Sequence, residues 1–153
     1  MSTHNSLPPN SLPAAGLVST LTDAERGELC FYGEFITHEK GDTVVEQGVS
    51  QAFLHLVLEG ELRVFVKSED AIVPLGYIQA GEGVGEMSLL EPVDASAMVM
   101  ANATTNAWAI SRARFEEFTA AHPAAAAKFL KAIAIQLGRR LRKGSERLLN
   151  AES

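Results

Sequence analysis

The sequence predicts a mainly β protein with flanking helices: an antiparallel jelly roll or β-roll with a short N-terminal helix and a long C-terminal helix. Three observations predict this fold class. Apolar residues alternate with a period of two on both sides of Gly60, and turn-forming residues interrupt the chain at short intervals between Gly41 and Asn106. Beyond Ser111 the apolar period becomes that of a helix. Many short strands with frequent turns are typical of antiparallel sandwiches and rolls.

The length and composition fit one compact domain. The chain has 153 residues, 46% of them hydrophobic, and a single cysteine, Cys30. This apolar fraction is that of an ordinary globular domain, and a lone cysteine excludes an internal disulfide framework. The sequence contains no recognisable secretory signal or membrane-spanning apolar segment. We therefore expect a cytoplasmic protein that is stabilised by a hydrophobic core, in which Cys30 is a packed thiol.

The N-terminal region divides into a leader and a helix. Residues 1–15 hold three of the six prolines, together with serines and asparagines, which predicts a flexible leader. Thr22 and Glu25 have the spacing of a capping box, in which each side chain accepts a hydrogen bond from the other residue's backbone N–H. A helix of about three turns is predicted to follow and to end before Gly33.

Two strands are predicted around the turn at Gly60. Residues 53–58 and 62–67 each alternate in a way that gives the strand one apolar face. His55 alternates with Phe53 and Val57, which predicts a surface or half-buried position. No His-x-His pair occurs, as a metal site in a jelly roll of the cupin type would require, so no metal ligands are predicted. No serine, histidine and carboxylate motif is present either, and no catalytic residue is predicted.

Two helices are predicted at the C-terminal end. Ser111 can cap a helix that carries Phe115 and Phe118, and the His122-Pro123 pair ends this helix and begins the next, because proline suits the first helical turn. The last helix runs from about residue 124 toward residue 149. Its apolar stripe consists of Leu130, Ile133, Leu137, Leu141 and Leu148. The predicted division is a leader at 1–15, a roll with its N-terminal and short following helices at 16–122, and a C-terminal helix at 123–150.

The net charge of −6 is unevenly distributed. Residues 1–127 carry 6 basic and 17 acidic side chains, and residues 128–153 carry 7 basic and 2 acidic ones, so a net −11 is followed by +5. The basic end of the last helix is either a solvated face or a functional surface. Nucleic-acid binding is the less favoured function, because a basic helix alone binds unspecifically and in a salt-sensitive way. We predict that the basic helix is drawn to the acidic roll.

The main candidate site lies between Gly81 and Val99. Gly85 allows a sharp backbone turn, and a short helical turn is predicted after it, with free N–H groups that point to one place. Such a helix end suits an anion. Glu86 is open to two interpretations, an acceptor for a sugar hydroxyl or a carboxylate that only caps the turn. The candidate ligand-binding residues are Gly85, Glu86, Met87, Ser88, Leu89, Leu90, Ala95, Ser96 and Ala97.

This segment resembles the cyclic nucleotide-binding domain family, the β-roll shared by catabolite-activator-type transcription factors, kinase regulatory subunits and cyclic-nucleotide-gated channels. The resemblance runs from about Leu21 to the C-terminal helix. It rests on the glycine turn at 58–62, the strand at 75–78, the cassette at 85–90 and the segment from Trp108 to Phe115. It implies a β-roll without a helix-turn-helix domain, a cyclic nucleotide as the possible ligand, no required cofactor, and a C-terminal helix that serves as lid and dimer seam.

The chain departs from the family at the phosphate contact. Members that bind cyclic AMP or cyclic GMP have an arginine two residues before the alanine that matches Ala97, and this sequence has Ala95 there. No lysine or arginine occurs between Lys67 and Arg112. A hydrogen bond to a charged group contributes roughly 1.5 to 3 kcal/mol, and removing one partner of a buried pair costs about 3 to 5 kcal/mol. At ~1.4 kcal/mol per decade, cyclic nucleotides should bind roughly ten- to a thousandfold more weakly.

The predicted function is a non-enzymatic regulatory or signalling module with a degenerate phosphate-binding cassette. It would act through the apolar stripe of its C-terminal helix on a partner protein or on a second copy of the chain. The alternative is a genuine receptor for cyclic AMP, cyclic GMP or a dinucleotide. Such a receptor would recruit a distant cation, for example Arg63, Arg112 or a residue of a second subunit.

Overall fold

The computed structural model describes residues 11–152, with side chains as far as residue 146. Four α-helices lie in this range: α1 (Asp23–Phe31), α2 (Glu86–Leu90), α3 (Arg112–Ala121) and α4 (Pro123–Glu152), and a 3₁₀ turn at Gly16–Val18 precedes them. The ten strands of the described range are β1 (Glu34–His38), β2 (Thr43–Val45), β3 (Ser50–Gln51), β4 (Phe53–Glu59), β5 (Glu61–Lys67), β6 (Ile72–Gln79), β7 (Gly83–Val84), β8 (Val93–Asp94), β9 (Met98–Ala101) and β10 (Thr105–Ser111).

Two four-stranded antiparallel sheets form the roll. Their strand orders are β1-β10-β4-β7 and β2-β9-β5-β6, and β3 pairs separately with β8. The chain passes from the first sheet to the second at Gly60, which has a φ of 102° and packs against Thr104 and Thr105 so closely that a side chain would not fit. Only glycine combines that dihedral with that approach. The predicted fold class is confirmed, and the two strands around Gly60 belong to different sheets.

The helix boundaries follow local hydrogen bonds that the sequence predicts. Thr22 Oγ1 accepts from the Glu25 N–H at 3.1 Å, and Glu25 Oε1 accepts from the Thr22 N–H at 2.8 Å. Ser111 Oγ accepts from the Arg114 N–H at 3.1 Å at the start of α3. The capping box, the serine cap and the helix start at Pro123 are therefore confirmed.

The packed part of the chain begins earlier than the predicted leader boundary at residue 15. Leu12 is 3% exposed, and its carbonyl oxygen accepts a hydrogen bond from Arg26 Nε at 3.2 Å. The Leu17 N–H then donates to Gly81 O at 2.9 Å, which ties the 3₁₀ turn to the roll. A single leucine among prolines and serines gives no periodic signal, so the sequence pattern does not mark it as buried. Residues 1–10 of the predicted leader lie outside the described residues.

The core consists of two clusters on either side of β4. The helix-side core contains Leu54 and Leu56 of β4 together with the buried residues of the helices, and includes Trp108, Phe118 and Phe129. The roll core lies between the sheets and consists of Val45, Val57, Leu62, Ile78, Val99 and Ala101. Successive residues of a strand point to opposite faces, so β4 contributes to both clusters.

His55 corrects the prediction of a surface or half-buried position, because it is 7% exposed. Strand β4 pairs with β10 on one edge and β7 on the other, and both of its faces are covered. In such a central strand, an apolar period of two does not mark a solvent-facing side. The pKa of His55 is lowered to about 4, chiefly by burial and to a lesser extent by the neighbouring charge of His38.

The apolar stripe of α4 is divided between two environments. Ile133 is 1% exposed, and Leu130 and Leu137 are half-buried against the helix-side core. Leu141 is 73% exposed, and the side chain of Leu148 lies outside the described residues. The first three positions of the stripe therefore fold back on the roll, and the use of the remainder as a dimer seam stays a prediction.

Two further sequence expectations concern Cys30 and the membrane. Cys30 is a free thiol, 5% exposed within the helix-side core, and burial raises its pKa. A raised pKa disfavours the reactive thiolate, so the prediction of a packed thiol is confirmed. In the described part of the chain, no helix is both long enough and apolar enough to cross a membrane.

Candidate functional site

The cassette begins at the edge strand β7 and turns sharply at Gly85. Val84 of β7 is the cross-strand partner of His55 in β4. Gly85 has a φ of 87°, and the carbonyl oxygen of Phe53 occupies the space that a side chain would need. The short helix α2 follows directly, as predicted, and the Ser88 N–H donates to Gly85 O at 3.1 Å.

A cavity of about 670 Å³ lies beside the cassette, and most of its lining side chains are apolar. Seven of the nine predicted ligand-binding residues line it: Gly85, Glu86, Met87, Ser88, Ala95, Ser96 and Ala97. The other two do not. Leu89 is 2% exposed in the helix-side core, and Leu90 is 51% exposed. Opposite the cassette, the strands contribute Val64, Tyr77 and Val99.

The cations that line this cavity come from α4. Within the described residues they are Arg140 and Lys143. Arg140 Nη1 lies 3.0 Å from Glu86 Oε1, and its Nη2 donates to Gly83 O at 2.7 Å. The Glu86 side chain is 9% exposed and that of Arg140 is 31% exposed. The arginine thus joins the middle of α4 to the start of the cassette by a charge-assisted contact.

Gln136 joins α4 to the same strand one helical turn earlier. Its Oε1 accepts from the Gly83 N–H at 2.9 Å, and its Nε2 donates to Gly83 O at 3.3 Å. The side-chain amide therefore bonds to both polar groups of one residue in β7, as a neighbouring strand would. Gln136 is 8% exposed, so these bonds satisfy polar groups that would otherwise be buried without partners.

Comparison with known families identifies the roll and its cassette. Residues 35–122 match the family described as the cyclic nucleotide-binding domain. The chain belongs to this family. The match covers the strands from β1 onward, the cassette and α3. The resemblance found in the sequence is therefore confirmed.

Sequences similar to this chain occur within larger proteins. cGMP-dependent protein kinases of Toxoplasma gondii and Eimeria tenella are 29% and 34% identical over 109 residues, which cover 71% of this chain but only 11% and 10% of the kinases. A crystal structure of a cyclic nucleotide-binding domain from Methylobacillus flagellatus aligns with a TM-score of 0.80 and 25% identity, over 86% of this chain and 74% of that one. The chain thus spans about a tenth of either kinase.

Ala95, the residue predicted to replace the family's arginine, is half-buried and packs against the roll core. Its backbone is held on both sides, because the Ala95 N–H donates to Val49 O at 3.0 Å and Ala95 O accepts from the Gly48 N–H at 2.8 Å. The methyl group of Ala95 therefore presents an apolar surface to the cavity.

Neither of the distant arginines named from the sequence lines the cavity. Arg63 lies over the ring of Phe65, with its guanidinium carbon 5.5 Å from the ring centroid. Arg112 Nη1 donates to Ser88 O at 2.9 Å and supports α2 from outside the cavity. Arg140 and Gln136 were not predicted from the sequence, because they lie 50 and 46 positions after Leu90, the last residue of the cassette. The excess positive charge of the last helix was a signal for Arg140, and none was available for Gln136.

Glu86 has a partner that neither sequence interpretation included. Among the described contacts, its carboxylate accepts a hydrogen bond from Arg140 and none from an N–H group of α2. A sugar hydroxyl would have to share or displace Arg140 to reach this acceptor. For metals, the described residues contain no group of three or more histidine, cysteine, aspartate or glutamate side chains suited to hold an ion.

Proposed function

We propose that the chain is a non-enzymatic regulatory module of the cyclic nucleotide-binding domain family, with a cassette that lacks its own phosphate cation and a signal that runs through α4. The observation that carries this proposal is the docking of α4 on the cassette through Arg140 and Gln136. A reducing compartment such as the cytoplasm belongs to the same proposal, because Cys30 is a buried free thiol.

The lining of the cavity supports a pocket that disfavours ordinary cyclic nucleotides. A phosphate placed near Ala95 would meet an apolar wall. Of the two described cations that line the cavity, Arg140 is already bound to Glu86 and Gly83. Freeing it for a ligand would leave the largely buried carboxylate of Glu86 without its partner, which costs about 1 to 3 kcal/mol. An uncharged ligand that leaves this pair intact avoids that cost.

The contacts of α4 explain how occupancy of the cavity would be transmitted. A ligand shifts a conformational equilibrium only by the difference between its affinities for the two states. Here the same groups, Glu86 and the backbone of Gly83, form part of the cassette and hold the helix. Any ligand that competes for them favours undocked α4, and any ligand that packs beside them favours docked α4.

Calorimetric titration with cyclic AMP and cyclic GMP tests the ligand part of the proposal. The unmodified chain should give no binding in the micromolar range. Ala95→Arg should create binding by placing a cation in the wall, whereas Ala71→Arg should not, because it adds the same charge on an exposed turn away from the cavity. Micromolar binding to the unmodified chain would contradict the proposal, and so would equal effects of the two arginines.

The exposed end of α4 is the surface proposed for the partner protein or second copy. Residues 141–146 are exposed, and Leu141 is the large apolar side chain among them. Truncation at Pro123 would remove Phe129 and Ile133 from the helix-side core, so a point substitution is the cleaner test. Leu141→Glu should abolish any concentration-dependent association in analytical ultracentrifugation, and Ser145→Glu should not. Association that survives Leu141→Glu would exclude this surface.

A second candidate function is a cyclic nucleotide receptor that takes its cation from α4. The position of Lys143 and Arg140 in the cavity lining favours this version over one that uses Arg63 or Arg112. It predicts micromolar binding of a cyclic nucleotide to the unmodified chain, and loss of that binding in Lys143→Gln or Arg140→Gln. Retained binding in both variants would exclude it.

A further inference from the structure

Two neighbouring histidines inside the roll carry buried nitrogens without partners. His38 ends β1 and His55 lies in β4, and their ring centroids are 6.0 Å apart with an interplanar angle of 64°. His38 Nε2 and His55 Nδ1 are buried and form no hydrogen bond. Across the described part of the chain, no other side-chain nitrogen or oxygen combines burial with the lack of a partner. Both unpaired atoms therefore occur at the same place.

Because the two unpaired nitrogens lie close together, a single ligand that binds both of them is the simplest explanation for their lack of partners. A buried polar group left unpaired costs about 1 to 3 kcal/mol, and two such groups on adjacent rings double that cost. His55 is 7% exposed and lies on the same face of β4 as Val57 of the roll core. The two rings do not hydrogen-bond to each other, since neither nitrogen has a partner.

The chemistry of the two nitrogens suits a metal ion. A neutral imidazole carries a hydrogen on one nitrogen and a lone pair on the other. If the opposite nitrogens carry the hydrogens, both unpaired nitrogens present lone pairs. If the two nitrogens face each other along the line between the centroids, two metal–nitrogen bonds of ~2 Å each take up most of the 6.0 Å and leave about 1 Å on each side, which is the distance from an imidazole nitrogen to the centre of its ring.

We propose that His38 and His55 form a two-histidine site for monovalent copper. Zinc favours four protein or solvent ligands, and the described residues supply no cluster of three or more ligating side chains. A closed-shell monovalent ion instead accepts two ligands in a line, and imidazole nitrogen is a suitable ligand for copper. Rotation of either ring about that line does not alter the bonds, so an interplanar angle of 64° is compatible with the site.

The test is a competition titration of the full chain with Cu(I) under nitrogen, with ascorbate as reductant and bicinchoninate as competing chelator. All proteins carry Cys30→Ala, because a cysteine thiolate would compete with imidazole for Cu(I). One equivalent of Cu(I) should bind. His38→Asn and His55→Asn should each lower the affinity by more than the roughly 10- to 100-fold that loss of an outer-shell partner costs. His122→Asn, which removes a histidine paired with Glu28, should have no effect.

A second measurement keeps the test decisive if His55→Asn fails to fold. X-ray absorption of the Cu(I)-loaded Cys30→Ala protein should show two nitrogen neighbours at about 2 Å. If the Cys30→Ala protein binds Cu(I) no more tightly than its folded His38→Asn variant, the proposal is overturned, and a bridging water is left as the partner of both nitrogens. Equal losses in His122→Asn and His38→Asn would overturn it as well.

Discussion

The helix-side core and the roll core are filled by different kinds of side chain. The helix-side core encloses large rings, with Trp108, Phe118 and Phe129 fully buried. The roll core contains six smaller residues and lies against a cavity of about 670 Å³ and the paired histidines. Dense packing of large side chains provides stability, whereas a thinly filled interior leaves room for recognition. We infer that stability is concentrated on the helix side and binding on the roll side, with α4 shared between them.

The largest predicted effect is the loss of stability when a buried ring is removed from the helix-side core. Phe129→Ala should lower the free energy of unfolding by about 3 to 5 kcal/mol, because a fully buried ring leaves a cavity. Val99→Ala in the roll core removes fewer atoms and should cost about 1 to 2 kcal/mol. Urea denaturation followed by circular dichroism measures both. Equal losses would show that stability is not concentrated on the helix side.

Lowering the pH should destabilise the folded protein through protonation of His55 on the roll side. Its pKa in the folded state is about 4, below the ordinary value of 6.5, so the unfolded chain binds the proton first. Stability should therefore be complete above pH 6.5 and fall by about 3 kcal/mol as the pH decreases toward 4. Urea denaturation of the metal-free protein over this range measures the slope. His55→Leu should remove most of it, and an unchanged slope would contradict the assignment.

Removal of the contact between Arg140 and Glu86, which joins α4 to the cassette, should have an intermediate effect on stability. Arg140→Gln leaves the largely buried carboxylate of Glu86 without its cation, which costs about 1 to 3 kcal/mol. Amide exchange in residues 128–140 should accelerate because α4 undocks more often. Arg142→Gln is the matched control, since Arg142 is exposed on the same helix and forms no ion pair within the described residues. Identical exchange in the two variants would contradict a docking role for Arg140.

The smallest predicted effect is that of salt on the same helix. Lys128 Nζ lies 2.7 Å from Glu25 Oε1 and, through its hydrogen bond, lowers the pKa of that carboxyl. This pair joins α4 to α1, and the Arg140 contact joins α4 to the cassette, so both are contacts through which the predicted attraction of the basic helix would act. Salt screens exposed charges, so amide exchange in residues 128–146 should rise modestly at high ionic strength. Exchange that does not respond to salt would exclude the electrostatic attraction.

The features that the sequence predicts correctly are local ones. The capping box of Thr22 and Glu25 spans three residues, and the turn at Gly85 depends on one backbone dihedral, so both are readable from neighbouring residues. The contacts of Gln136 and Arg140 with the cassette join residues 53 to 57 positions apart, and no local pattern encodes such a pairing.

His55 and Leu141 show the limit of reading burial from periodicity. Both sit in regular patterns, yet the strand of His55 is covered on both faces, and the helix of Leu141 extends beyond the roll. The pattern gives the orientation of a side chain on its own element. It does not predict whether a second element packs against that face.

The bonds of Gln136 to Gly83 have a consequence for self-association. Strand β7 is an edge of its sheet, and an unpaired strand edge is a template for pairing with the backbone of another chain. The glutamine amide occupies that edge with one donor and one acceptor, in place of an intruding strand. Undocking of α4 would expose this edge for pairing with another chain, so the residue that docks the helix would also protect the protein against aggregation.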